Sequence, residues 1–158
     1  MGNTLIETFR LRAFSFVKIP LLFFTGPTVI SCTDEEAVIA LPFQRRNKNH
    51  LGSLYFGALC IGADAAGGIM AQRMLDQLKT GKGSLIFKDF QAKFLKRAEG
   101  RTFFSCKDGA VIRDAVRRAA ESLERVETPV KVIATVPDQF GDEPVAEFTL
   151  TLSLKVRR

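Results

Sequence analysis

The chain of 158 residues contains no tryptophan, one tyrosine and one histidine. A site that needs two histidines therefore cannot form within one chain. The three cysteines stand far apart and include no CxxC pair, so we expect no metal site. Their odd number favours free thiols in a reducing compartment, and the expected location is cytoplasmic.

Acidic residues are fewer than basic ones, 17 against 23, which gives a net charge of +6. This balance favours anionic partners such as phosphates, nucleic acid or a membrane surface. The basic residues are spread along the chain without a long run. The aromatic residues are almost all phenylalanine, which is typical of a core rather than of a base-stacking platform. We therefore expect no nucleic-acid partner.

Long runs without charge are few, and in residues 51–71 Asp64 is the only charged side chain. A transmembrane helix would need about this length, but an acid and five glycines argue against one. We expect no membrane span, and instead a buried central helix over residues 54–79, capped by Asn49 or Ser53. A buried carboxylate is costly unless it is paired or used, so Asp64 is the main candidate for chemistry.

The N-terminal segment, residues 1–27, is predicted to be helical. Residues 4–18 carry an apolar stripe that includes Leu5, Phe9 and Val17, with basic residues between, and Pro20 restarts a short turn. The helix would be either a lid or lipid-facing element, or an element packed on the edge of the domain.

The rest of the chain is rich in strand patterns. Strands are predicted over residues 28–32, 37–43, 84–98, 102–107, 130–136 and 146–157, and a second helix over 110–124. A bulge is expected near Lys88 and Asp89, where the alternation of strand 84–98 changes face. One helix far more apolar than a surface helix, with long alternating strands, predicts a single α+β domain over residues 1–158. In it, a curved antiparallel sheet wraps around the central helix.

The central helix also carries a resemblance. Residues 55–58, Tyr-Phe-Gly-Ala, are followed by Asp64 at the separation that the phenylacetate-pathway (PaaI-type) thioesterases place between a His-Gly-Gly-Ala turn and an acidic residue. The chain thus resembles the thioesterase-like hotdog-fold superfamily, in an uncharacterised branch. Tyr55 stands where those enzymes have histidine, and Phe56 replaces their first glycine.

The resemblance implies an acyl-CoA thioester hydrolase, with CoA as part of the substrate and no other cofactor. Gly57 would hold the thioester carbonyl at the helix N-terminus, and Asp64 would act as general base or nucleophile. Substrate would be bound by the residues around that turn, namely Asn49, His50, Ser53, Tyr55, Phe56 and Ala58. The family further implies a homodimer, or a dimer of dimers, with the site at the subunit interface.

Several alternatives stay open at this point. Asp64 would otherwise be a structural acid, paired with an arginine or capping a helix break before residues 65–68. His50 would otherwise be a loop histidine bonded to the backbone. The CoA phosphates have six basic candidates, Arg45, Arg46, Lys48, Lys96, Arg97 and Arg101. The protein could also be a non-catalytic acyl or lipid binder, or a basic scaffold for an acidic partner.

Overall fold

Six β-strands form one antiparallel sheet in the order β1-β2-β4-β5-β6-β3. The computed structural model describes residues 4–78 and 81–157. The strands are β1 (Thr28–Cys32), β2 (Ala37–Leu41), β3 (Lys82–Phe94), β4 (Thr102–Cys106), β5 (Val126–Thr135) and β6 (Pro144–Arg157). The helices are α1 (Thr4–Lys18), α2 (Pro20–Thr25), α3 (Phe56–Asp76), α4 (Gly109–Ser122) and α5 (Pro137–Phe140), with a 3₁₀ turn at Arg45–Asn47. Helix α3 packs on the sheet, as the sequence predicts.

Helix α3 is buried along most of its length because its small residues allow the sheet to come close. At Gly62 a Cβ atom would lie 2.4 Å from the ring of Phe104, and at Gly67 it would touch the β5 and β6 side chains at 3.5–3.6 Å. The helix is shorter at both ends than predicted, and Lys79 lies outside the described residues. The predicted cap is wrong, since the N-cap is Tyr55 and no side chain caps the helix.

The bulge predicted near Lys88 is confirmed by a register shift between Phe87 and Asp89. The bulge changes which side chains of β3 share a face. Phe87 pairs with Leu152 and Phe90 pairs with Leu150, and both of these leucines are buried. The extra residue therefore puts the aromatic residues on either side of the bulge on the same face, towards α3.

Helix α1 forms over the predicted residues, but part of its apolar stripe is exposed. Leu5, Phe9 and Val17 are 78%, 72% and 70% exposed, whereas Ser15 is buried. The helix lies on the edge of the domain, where Thr8 and Arg12 bond to the segment that begins β1, and it exposes these three apolar side chains. Among the described helices, none is long and apolar enough to cross a membrane.

Helix α4 lies beside α3 and against β5 and β6. Ile112, Ala115, Val116 and Ala119 form its buried side, as the 3.6-residue pattern predicts. The three cysteines are free, with Cys32 and Cys106 buried.

Candidate active site

A groove of about 710 Å³ runs between α1, α3 and β3. One wall is the inner side of α1 with the start of α2, and the opposite wall is the helix-facing side of β3. Its apolar lining comes from Leu11, Phe14, Ile19, Leu22, Ala65, Gly68, Ile69, Leu85 and Phe87, and its polar lining from Glu7, Arg10, Asp64, Gln72, Arg73, Asp76 and Gln77. A groove of this size and composition suits a ligand with a long apolar part.

Asp64 lies in this groove, on the side of α3 that faces β3. The side chain is half-buried, and within residues 4–78 and 81–157 it has neither a hydrogen-bond partner nor an ion-pair partner. Burial among apolar neighbours raises the pKa of Asp64 from its ordinary value of 3.8 to about 6. The carboxylate is thus more basic than usual and accessible from the groove, as a general base requires.

The structural alternatives for Asp64 do not hold within the described chain. Helix α3 continues without a break from Phe56 to Asp76, so Asp64 caps no helix end. Arg73, which also lines the groove, instead donates to the backbone oxygen of Cys32 at 2.8 Å and to Asp34 at 3.0 Å. Arg10, the other arginine that lines the groove, pairs with Glu7 at 3.6 Å, so neither arginine neutralises Asp64.

The start of α3 offers unused backbone donors. The first intrahelical bond runs from the N–H of Leu59 to the oxygen of Tyr55 at 3.1 Å. Among the described residues, the N–H groups of Phe56, Gly57 and Ala58 have no hydrogen-bond acceptor. Such orphan donors, reinforced by the helix dipole, favour a negative charge on a nearby oxygen atom.

Aromatic rings surround this helix start. A Cβ atom at Gly57 would lie 2.5 Å from Tyr55 Cε1, so the tyrosine ring lies directly against the glycine. Phe56 contacts Tyr55 with ring centroids 4.7 Å apart and Phe94 of β3 with centroids 6.2 Å apart. Since Tyr55 and Phe56 are 47% and 56% exposed, their rings form an apolar rim at the helix start rather than part of the core.

The loop before the helix is held by two of the predicted binding residues. Asn49 Nδ2 donates to Ser53 Oγ at 3.0 Å, while Asn49 Oδ1 accepts from the N–H groups of Leu51 and Ser53. These bonds shape the loop and orient the chain into α3. The exposed His50 side chain makes no hydrogen bond within the described residues, so the alternative of a backbone-bonded histidine is not observed.

Two of the six basic phosphate candidates lie at this loop. Lys48 pairs with Leu54 through a β-bridge, and Arg97 donates to the oxygen of Leu51 at 2.9 Å. The others lie elsewhere or are engaged: Arg45 is in the 3₁₀ turn, Arg46 lies over Phe24, Lys96 pairs with Glu143, and Arg101 lies over Phe103. Lys48 and Arg97 are the two candidates at the loop before α3, and they too have partners: Lys48 Nζ lies 3.7 Å from the ring centre of Phe43, and Arg97 pairs with Glu99 at 3.5 Å.

Gly57 and Asp64 share one side of α3 with Gly68, because seven and four residues are close to whole numbers of turns. A Cβ atom at Gly68 would lie 3.3 Å from Phe87, so this side faces β3. Along the axis, Gly57 and Asp64 are about 10 Å apart. Within one chain, both can act on one carbonyl group only with a water molecule between them.

The groove walls that α1 and α2 contribute could not be identified from the sequence. Leu11, Phe14 and Leu22 line the groove with Asp64 although more than 40 residues separate them along the chain. Their periodicity indicated a helix, but it carried no information on what the helix lies against.

Comparison with known proteins places this geometry in context. Residues 10–154 match the family described as a domain of unknown function (DUF4442). No curated protein is significantly similar to the chain in sequence.

Solved structures are similar over nearly the whole chain. The Pseudomonas aeruginosa protein PA5026, described as a probable thioesterase, is 23% identical, with 95% of this chain and 96% of that chain covered and a TM-score of 0.74. A Shewanella oneidensis protein, described as a putative thioesterase, is 18% identical, with 96% and 99% covered and a TM-score of 0.75. A Chlorobaculum tepidum protein of unknown function is 13% identical, with 96% and 95% covered and a TM-score of 0.78. The predicted hotdog fold is thereby confirmed.

Proposed function

This chain belongs to the DUF4442 family, a domain of unknown function, and we propose that it hydrolyses acyl-CoA thioesters. The observation that carries the proposal is the half-buried Asp64, which lies without a partner in the described chain on an apolar groove. The hotdog fold and the neighbours described as thioesterases support the same reaction class.

In the proposed reaction, the carbonyl oxygen of the thioester binds at the start of α3. The N–H groups of Gly57 and its neighbours lack acceptors in the described chain, and they stabilise the negative charge that develops on that oxygen. Glycine has no side chain of its own to block the carbonyl at this position, so close approach requires only that the Tyr55 ring move aside. The apolar rim of Tyr55 and Phe56 helps to exclude bulk water.

Asp64 then activates the attack. As general base, it takes a proton from water while the water oxygen forms a bond to the carbonyl carbon. The C–S bond breaks, the thiolate takes the proton, and the products are a carboxylic acid and the free thiol of CoA. As a nucleophile, which the separation of about 10 Å permits only if the other subunit of a dimer holds the carbonyl, Asp64 would instead bond to the carbonyl carbon as the CoA thiolate leaves, and water would then cleave the acyl anhydride.

The acyl chain would occupy the groove between α1 and β3. Leu11, Phe14 and Leu22 on one side and Leu85 and Phe87 on the other provide the apolar walls. Phe14→Ala should raise KM for long-chain acyl-CoA and leave acetyl-CoA hydrolysis nearly unchanged. Phe9→Ala is the matched control, since that ring is on the same helix but outside the groove.

We further propose that the working unit is a homodimer formed through β3. This strand is at the edge of the sheet, so one side of its backbone has no strand partner in the described chain. Ile86, Phe94 and Leu95 add apolar surface there, each about half exposed. In such a dimer, Gly57 of one subunit could act on the same carbonyl as Asp64 of the other, so the separation of about 10 Å along one α3 would not apply.

The central test is thiol release from a panel of acyl-CoA substrates. Asp64→Asn should abolish turnover, because the amide cannot take a proton from water, while the fold is retained by circular dichroism. Asp142→Asn, in an exposed turn, is the matched control and should keep full activity. Unchanged turnover in Asp64→Asn would remove the assignment.

A mixing experiment tests whether the site is shared. Asp64→Asn and Gly57→Val, each inactive alone, are unfolded together and refolded as mixed dimers. If each site uses both subunits, about a quarter of the wild-type activity should return, as the statistics of a symmetric dimer require. Absence of recovery, with mixed dimers verified by mass spectrometry, would place each site within one chain.

A non-catalytic acyl binder is the second candidate, and one observation favours it. The Tyr55 ring lies against Gly57, where the substrate carbonyl would approach. If the ring stays there, acyl ligands would bind in the groove without turnover. Native mass spectrometry that finds a co-purified acyl ligand, together with no thiol release by the wild type, would support this candidate.

A further inference from the structure

Besides Leu11 and Phe14, which line the groove, helix α1 carries apolar side chains that point away from the protein. Ile6, Phe9, Phe16 and Val17 are 49%, 72%, 64% and 70% exposed. At 3.6 residues per turn these four side chains fall on one half of the helix. The opposite half holds Ser15, which is fully buried. This arrangement is the reverse of the usual surface helix, whose apolar side packs on the core.

The exposed apolar surface continues on α2. Leu21 and Phe24 are 64% and 55% exposed, and Phe23 of α2 contacts Phe16 of α1 with ring centroids 5.1 Å apart. We call the continuous surface the outer N-terminal face, which comprises Ile6, Phe9, Phe16, Val17, Leu21 and Phe24. A contiguous apolar surface of this kind marks an interaction site.

The orientation of α1 is fixed by polar anchors on its inner side. The N–H of Val29 donates to Thr8 Oγ1 at 2.9 Å, and Arg12 Nε donates to the oxygen of Pro27 at 2.9 Å. Both bonds attach α1 to the segment that begins β1. With these bonds in place, the helix cannot rotate its apolar side inwards, so the exposure is a property of the fold.

The charges beside this face are basic. Within residues 1–33 the only acid is Glu7, which is only partly exposed and pairs with Arg10 at 3.6 Å. Lys18 ends α1, and the Arg46 guanidinium lies 5.8 Å from the ring centre of Phe24. A second copy of the same face would bring bases against bases, whereas anionic headgroups would complement them.

We propose that the outer N-terminal face docks the protein on the surface of an anionic lipid bilayer. A helix of 15 residues is shorter than the roughly 20 that span a bilayer, so α1 would lie in the plane of the interface. Its phenylalanines and aliphatic residues enter the boundary of the acyl chains, and Arg10, Lys18 and Arg46 meet the lipid phosphates. Docking does not require the hydrolytic activity, so either proposal can fail without the other.

The experiment is flotation of the full chain with vesicles of phosphatidylcholine, with and without phosphatidylserine. The wild type should float with the vesicles that contain phosphatidylserine and release at high salt, because the charge contribution is screened. Phe9→Asp and Phe16→Asp should each weaken partitioning about tenfold or more, since one large apolar side chain is lost from the interface. Lys18→Glu should weaken binding only to the anionic vesicles.

Val111→Asp is the control, because Val111 is 45% exposed on α4 and outside this face, and it should bind like the wild type. Since Phe9 is exposed, its variant should keep the wild-type circular dichroism spectrum, so a loss of binding would not reflect unfolding. Two results would overturn the proposal. One is a folded wild type that binds no anionic vesicle. The other is wild-type binding by both Phe9→Asp and Phe16→Asp, which would show that this face does not contact the bilayer.

Discussion

The raised pKa of Asp64 leads to a prediction that joins stability to activity. Its carboxyl has an ordinary pKa of 3.8, which burial raises to about 6 in the folded protein. An acid whose folded pKa is raised binds protons more tightly when folded. The charged form therefore destabilises the fold above about pH 6, and the cost disappears as the pH falls towards the ordinary pKa.

The size of this cost follows from the two pKa values. A difference of one in pKa corresponds to about 1.4 kcal/mol, so the two pKa values set an upper limit of about 3 kcal/mol on the cost at pH 8. The actual cost is smaller because the carboxyl also contacts solvent in the groove. Asp64→Asn removes the charge, although the amide must still lose water. We expect a net gain of about 1–2 kcal/mol, which raises Tm by about 2–8 °C in a chain of this length.

The assay is thermal unfolding of the wild type and of Asp64→Asn between pH 8 and pH 4. The variant should be more stable at pH 8, and the difference should shrink below pH 6 and nearly vanish by about pH 4. Wild-type kcat/KM should fall over the same range as the base becomes protonated. A variant that is less stable than the wild type at pH 8 would refute the reasoning, because it would mean that the carboxylate has a favourable partner.

Three further predictions concern packing and can be checked by thermal or urea unfolding. Gly62→Ala should destabilise the fold by about 1–3 kcal/mol, because its Cβ would overlap the buried ring of Phe104. Gly67→Ala, on the same helix, should instead stabilise by up to about 1 kcal/mol, since its Cβ finds ordinary contacts and alanine favours helix; equal effects at the two positions would contradict this account. Asn47→Ala should cost about 1–3 kcal/mol, because the buried amide donates to two backbone oxygens, at 2.9 and 3.0 Å, that would lose their partner; a change below 0.5 kcal/mol, which is about the size of a neutral surface effect, would contradict it.

Much of the fold could be predicted from local patterns. The alternation in β6 marks one buried face, and the apolar run around Asp64 marks a helix enclosed by a sheet, because these periodicities depend only on neighbours along the chain. The bulge near Lys88 was predictable for the same reason. The ends of α3 were not, since no side chain caps the helix at Tyr55 and the sequence offered better caps nearby.

For the candidate site, too, local spacings could be predicted and contacts between distant segments could not. The sequence by itself determined that Asp64 would lie in an apolar helix about two turns from a glycine at the helix start, because both facts are spacings along one segment. The folded structure was needed to show that Phe14 and Phe87 line one groove with that acid, that Arg73 is engaged with Cys32 and Asp34, and that α1 exposes apolar side chains. An apolar stripe in the sequence predicts that a helix has one apolar side and one polar side. Which side meets the protein depends on contacts between distant segments, such as the bond that joins Thr8 to Val29, and these exist only in the folded chain.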